Sequence, residues 1–158
     1  MKTRKLNKKG FTLIEVVLVL AIGGLIFLLA FLAFRQASIN RRDTQRRSDA
    51  GRFISEVANY SGDANGKLPG QTGALSVDQF QTTYMGSTWK DPADNNYKAA
   101  ATESNAVGST VGQNGNDYYY FKAGNKCNGN AMTTGSSGDY AIVLKLEKGV
   151  VCRDNGTQ

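Results

Sequence analysis

Residues 11–34 are apolar almost without interruption, and Glu15 is the only charge among them. Twenty-four residues in α-helix reach about 36 Å, enough to cross a hydrocarbon core of about 30 Å. A secretory signal peptide fits less well, because its apolar region runs to only about 7–15 residues before a small-residue cleavage site. The run also holds a carboxylate four residues after its start, directly behind a basic leader that ends in Gly10. A carboxylate in an apolar span is costly and has a partner by default, which marks Glu15 as a functional residue.

The stretch Lys8-Lys9-Gly10-Phe11-Thr12-Leu13-Ile14-Glu15-Val16-Val17 resembles the cleavage and assembly signal of type IV prepilins and the related pseudopilins. The match is dense over about ten residues. The resemblance implies cleavage by a membrane-embedded prepilin peptidase after Gly10, N-methylation of the new terminus at Phe11, and an assembly role for Glu15. The bland alternative is a signal anchor that is never cut. The resemblance further implies a homo-oligomeric helical filament, an inner-membrane platform protein and an assembly ATPase as partners; a type II secretion pseudopilin, a competence-type (DNA-uptake) pilin and a membrane-anchored binding module that never polymerises are the alternatives. It places the precursor in the cytoplasmic membrane, with its leader inside and its head outside, and the assembled subunit on the cell surface. No cofactor is implied.

Charge by itself does not orient the chain. Five basic residues precede the span, while Arg35, Arg41, Arg42, Arg46, Arg47 and Arg52 follow it, and both groups compete to stay cytoplasmic. The net charge of +6 is equally uninformative about nucleic acid. Five of the 19 basic residues stand in residues 1–10, so cleavage leaves 14 against 13 acidic ones. The arginines at 41–52 could track phosphates, yet aspartates interleave and aromatics for stacking are missing. A solvated face or contact with lipid headgroups is the reading preferred; nucleic acid as a partner is open but unsupported.

Residues 35–60 contain no proline, and Ala50, Phe53, Ile54, Val57 and Ala58 fall at i, i+3, i+4, i+7 and i+8. That spacing predicts an amphipathic continuation of the helix, about 75 Å from residue 11 to residue 60. Arg42–Arg46 and Asp43–Arg47, each four apart, are expected on its solvated side. Ser61-Gly62-Asp63 and Asn65-Gly66 end it, and the Gly66…Pro69 turn leads away. The expected domains are a cleaved leader at 1–10, a span at 11–34, the amphipathic continuation at 35–61 and a head at 62–158.

Within the head, Ser76 and Gln79 have capping-box spacing, and Val77, Phe80 and Tyr84 follow at helical intervals, which predicts a short helix over 76–84. Residues 89–92 lead into a loop, and any strand over 93–117 is left open. Strands are expected over 118–122, 140–146 and 150–153, with Tyr140, Ile142, Leu144 and Leu146 on one face and a tight turn at Lys148-Gly149. The aromatic run at 118–121 is read as sheet packing in preference to an adhesive surface. The fold class is therefore α+β, a long N-terminal helix packed on a small C-terminal antiparallel sheet.

Enzymatic chemistry lacks parts. The chain has no histidine, and neither a phosphate-binding glycine loop nor a nucleophile elbow occurs; no enzyme is expected. Asp91, Asp94, Asn95 and Asn96 could offer oxygen to calcium, but their spacing matches no defined loop and turn formation explains them as well; no metal site is assigned. Cys127 and Cys152 are the only cysteines. An exported head is in an oxidising setting where two cysteines pair, and type IV pilins often carry such a bridge; two free thiols are the alternative. Unlike many type IV pilins, residues 11–34 hold no proline. Local melting of the span, if any, is expected to begin at Gly23-Gly24.

Overall fold

The computed structural model describes residues 10–86, 89–92, 96–100 and 118–156. Two long elements of sequence pattern become one element of structure: α1 runs Leu13–Asp63. The chain divides into two units, Met1–Ser38 and Ile39–Gln158. In the first, the helix is uninterrupted across Gly23-Gly24, and its best 18-residue window has a mean hydropathy of 3.0. Its large side chains are exposed, from Val16 at 48% to Phe11 at 88%. So much contiguous apolar surface requires lipid or other apolar helices around it.

In the second unit, the buried residues of α1 are Asp43, Arg46, Ala50, Phe53, Val57 and Tyr60. Their spacing alternates three and four, the narrow seam of a helix that packs along one line. This corrects the expected stripe at both ends. Ala58 is exposed, with Tyr60 buried in its place, and Asp43 and Arg46 lie in the core seam instead of on the solvated side. The helix ends where Asn65 (φ 53°) and Gly66 (φ 81°) turn left-handed, and the Gly66 N–H closes on the Ser61 carbonyl at 2.8 Å.

The capping box forms as its spacing predicts. The Ser76 hydroxyl accepts from the Gln79 N–H, and the Gln79 side chain accepts from the Ser76 N–H. Helix α2 spans only Val77–Phe80, and a π-helical turn, Gln81–Met85, completes the expected segment.

The main sheet has the order β1-β2-β5-β6: Lys98–Ala99, Tyr118–Ala123, Tyr140–Leu146 and Gly149–Asp154. The β2–β5 and β5–β6 pairs are antiparallel, but β1 pairs parallel to β2, so the sheet is antiparallel-rich rather than purely antiparallel. Leu146 faces Gly149, leaving Glu147 and Lys148 as the turn, and Gly149 has φ 94°, a conformation that favours a residue without Cβ. A second sheet was not expected from the sequence: β3 (Asn125–Asn128) and β4 (Ala131–Thr134) form a hairpin.

Strand β5 is buried on both faces. Tyr140, Ile142, Leu144 and Leu146 join the cluster that holds Phe53, as the alternation predicts. Ala141 and Val143 face the other way, onto Cys152 with Cys127 and Met132. Phe53 sits amid rings of Phe80, Trp89, Tyr119 and Phe121, with centroids 5.2–5.4 Å away. Tyr119 and Phe121 of β2 thus pack inward, at 0% and 6% exposed.

Candidate functional site

At the N-terminal signal, Thr12 precedes the first helical residue and Glu15 is the third residue of α1. The Thr12 N–H and the Thr12 hydroxyl both donate to Glu15 Oε2, at 2.8 and 2.7 Å. The Glu15 N–H reaches back to Thr12 Oγ1 at 3.4 Å. This is a capping box, and it satisfies backbone donors that the start of any helix leaves open. It also places a carboxylate at the positive end of the helix dipole. The Thr-x-x-Glu spacing is visible in the sequence, and it supplies the Glu15 carboxylate with a partner from the same chain.

Phe11 and Glu15 line one surface together with Val16, Leu18, Val19 and Leu20. Gly10 is exposed, its φ is not left-handed, and an added Cβ would meet nothing within 4 Å. No demand of the fold therefore explains glycine there. The expectations for Lys2, Arg4, Lys5, Lys8 and Lys9 fall outside the described residues.

In the head, Arg46 is fully buried and ringed by carboxylates. Its Nε donates to Asp91 Oδ1 at 2.6 Å and Nη2 donates to Asp91 Oδ2 at 3.3 Å, a two-pronged pair. Nη1 lies 3.3 Å from Asp43 and 3.4 Å from Glu147. Burial works against the charge of Arg46, but the hydrogen bond and charge of Asp91, aided by Glu147, outweigh it and hold the pKa above the ordinary arginine value. Asp43 has a second task. Its oxygens accept the N–H groups of Glu147 and Lys148, at 2.7 and 3.2 Å, so the helix satisfies the β5–β6 turn.

Of the oxygen-bearing residues at 91–96, Asp91 is 3% exposed and bonded to Arg46; Asp94 and Asn95 fall outside the described residues. Among the arginines at 41–52, only Arg46 is buried, while Arg41, Arg42, Arg47 and Arg52 are exposed.

Beside this clamp runs a polar thread. The Tyr119 hydroxyl donates to Gln81 Oε1 (2.9 Å), Gln81 Nε2 donates to the Tyr97 carbonyl (2.6 Å), and the Tyr97 hydroxyl donates to Asp49 Oδ2 (2.9 Å). Burial first, and then the Asp49 charge, pushes the Tyr97 phenol well above its usual range; burial and the Asp78 charge do the same to Tyr119. Asp49 is raised by burial, with the Tyr97 hydrogen bond pulling the other way.

Cys127 on β3 and Cys152 on β6 are joined by a disulfide, with Cα atoms 5.8 Å apart. The bond ties the hairpin to the main sheet. Asp154 adds a second tie between the same strands, its Oδ2 accepting the Cys127 N–H at 2.7 Å. Among the described residues no group of three or more acidic, histidine or cysteine side chains is placed to hold a metal ion.

Neither the comparison with curated proteins nor that with solved structures finds a match to this chain. A family model does match, over residues 5–31, and its description is the prokaryotic N-terminal methylation motif. Gly10, Phe11 and Glu15 fall inside that window, together with most of the apolar run, and the chain carries the N-terminal signal of the type IV prepilins.

Proposed function

We propose that this chain is a structural subunit of a type IV pilus-like filament. It is cut after Gly10 by prepilin peptidase, methylated at Phe11 and polymerised through residues 11–34 by a platform protein and an assembly ATPase. The observation that carries the reading is the methylation motif over residues 5–31. The exposed apolar helix adds support, since the same surface suits lipid before assembly and neighbouring helices after it.

Glu15 is the residue proposed to set the stagger between subunits. Cleavage creates one new positive group, the Phe11 amine, and in low dielectric an unpaired carboxylate costs several kcal/mol. Of the two Glu15 carboxylate oxygens, Thr12 donates to Oε2, and Oε1 is the atom proposed to take a neighbour's amine. A filament on the cell surface, labelled by antibody to this chain on electron micrographs, is the expected outcome. Glu15→Ala as sole subunit is expected to leave cleavage and insertion normal while abolishing fibres. Wild-type fibre yield from Glu15→Ala would defeat the pairing mechanism, and absence of any labelled filament would defeat the filament reading.

A further inference from the structure

Three Asn-Gly pairs stand among the described residues, at 65–66, 128–129 and 155–156; a fourth, 114–115, falls outside them. The pairing matters chemically, because glycine sets no Cβ beside its own backbone nitrogen and leaves the chain free to bend back on the preceding side chain. The fold treats the three pairs differently.

At 155–156 both reacting groups are engaged. Asn155 Oδ1 accepts the Tyr140 N–H and Asn155 Nδ2 donates to the Gly138 carbonyl, each at 3.2 Å. The Gly156 N–H donates to Asp154 Oδ1 at 3.1 Å. At 65–66 the nitrogen is engaged, since the Gly66 N–H closes on the Ser61 carbonyl at 2.8 Å. At 128–129 neither group is. Asn128 and Gly129 are both exposed, and among the described residues neither the Asn128 side-chain amide nor the Gly129 N–H makes a hydrogen bond. Gly129, at φ 63°, opens the turn, and a Cβ there would meet nothing within 4 Å. Asn128 faces Ala131 on the last rung of the β3–β4 hairpin. Bending it out of extended geometry disturbs one rung at a ladder's end, the kind of local opening that costs least.

From this contrast we infer that Asn128 is a self-modifying site, which loses its side-chain amide through the Gly129 nitrogen while the fold spares Asn65 and Asn155. Hydroxide takes the Gly129 amide proton, and the nitrogen attacks Asn128 Cγ. A C–N bond forms, the Cγ–Nδ2 bond breaks, and ammonia leaves with a proton from water. Water then opens the resulting succinimide at either carbonyl, giving aspartate or isoaspartate. Either product adds a negative charge, so the 14 basic and 13 acidic side chains after residue 10 become 14 of each. Isoaspartate also inserts a methylene into the main chain beside Cys127, on the hairpin whose Cys127 and Met132 cover Ala141 and Val143. The inference does not depend on the filament reading.

The test incubates the purified full-length chain in detergent at mildly alkaline pH and follows the three sites by peptide mapping with mass spectrometry. Asn128 is expected to convert fastest, at a rate that rises in proportion to hydroxide. One hydrogen bond of ordinary net strength slows Asn65 by about fivefold, and the several at Asn155 slow it by about tenfold or more. In denaturant the three rates are expected to converge. Asn128→Gln, whose longer side chain closes a six-membered ring far more slowly, is expected to keep its amide. Loss of the glutamine amide at the asparagine rate would overturn the ring mechanism in favour of direct hydrolysis. Conversion of Asn65 or Asn155 in the folded chain as fast as Asn128, or a ranking that survives denaturation, overturns the inference. So does an Asn128 that stays intact in the folded chain while the denatured chain reacts.

Discussion

Arg46 keeps a full positive charge at a position with no access to solvent, and it does so because Asp91, Asp43 and Glu147 arrive from three separate segments. Such a cluster contributes little net stability compared with well-packed apolar residues, but removing one partner strands the others. Asp91→Ala is expected to destabilise the head by about 3–5 kcal/mol, out of the ~5–15 kcal/mol typical of a domain. Denaturant melts of the full chain in detergent check this; a loss under 1 kcal/mol would mean that water replaces Asp91. Tyr97 supplies a prediction about pH. Its pKa is raised in the folded chain, so its contribution is complete below the unfolded value of about 10 and is lost as pH climbs past it. Tyr97→Phe, at a cost of about 1 kcal/mol near neutrality, is expected to make the decline above pH ~10 shallower. Unchanged alkaline melts would show that Tyr97 is not the group responsible.

At the scale of elements, β5 is the strand around which the head closes, since both its faces are buried. One face is covered by α1 residues, through Phe53 and its four aromatic neighbours. The other depends on the β3–β4 hairpin, a two-stranded unit that is marginal in isolation. The disulfide holds it there, together with the hydrogen bond from the Cys127 N–H to Asp154. Cys127→Ser opens a loop that spans 127 to 152 and is expected to cost about 3–4 kcal/mol in the chain-entropy account. The loss should concentrate in β3 and β4, read as faster amide exchange there than in β2 or β5. Equal melting temperatures with and without reductant would sink this assignment.

For the whole molecule, the two ends of α1 are subject to different demands. Residues 11–34 leave their large apolar side chains exposed and call for apolar surroundings, whereas residues 43–60 carry the core seam of the head. Gly10 belongs to neither. Because nothing in the folded chain excludes a side chain there, the requirement for glycine is expected to come from the peptidase. Gly10→Val should therefore leave folding and insertion unaffected while a full-length, uncut chain accumulates in the membrane. Mass spectrometry of wild-type fibres should find Phe11 at the terminus, N-methylated; another terminus would overturn the assigned cleavage site.

Where a residue type has a strong local consequence, the sequence alone determined the outcome. The uninterrupted apolar run made a helix, Asn65-Gly66 ended it, Ser76 and Gln79 capped α2, and alternation in residues 140–146 set the inward face of β5. Two further features were legible but went unread: the Thr12-x-x-Glu15 capping box, and the Gly129-Asn130 pair that turns the β3–β4 hairpin. Tertiary structure decided the remainder. Periodicity marks a helix face by its apolar residues, so a seam that continues through Asp43 and Arg46 looks solvated until Asp91 and Glu147 are brought to it from 45 and 101 residues away. The parallel pairing of β1 is likewise invisible in two residues of sequence, because it is β2 that supplies the partner. The cost of burying a charge depends on what surrounds it, and only the folded chain specifies those surroundings.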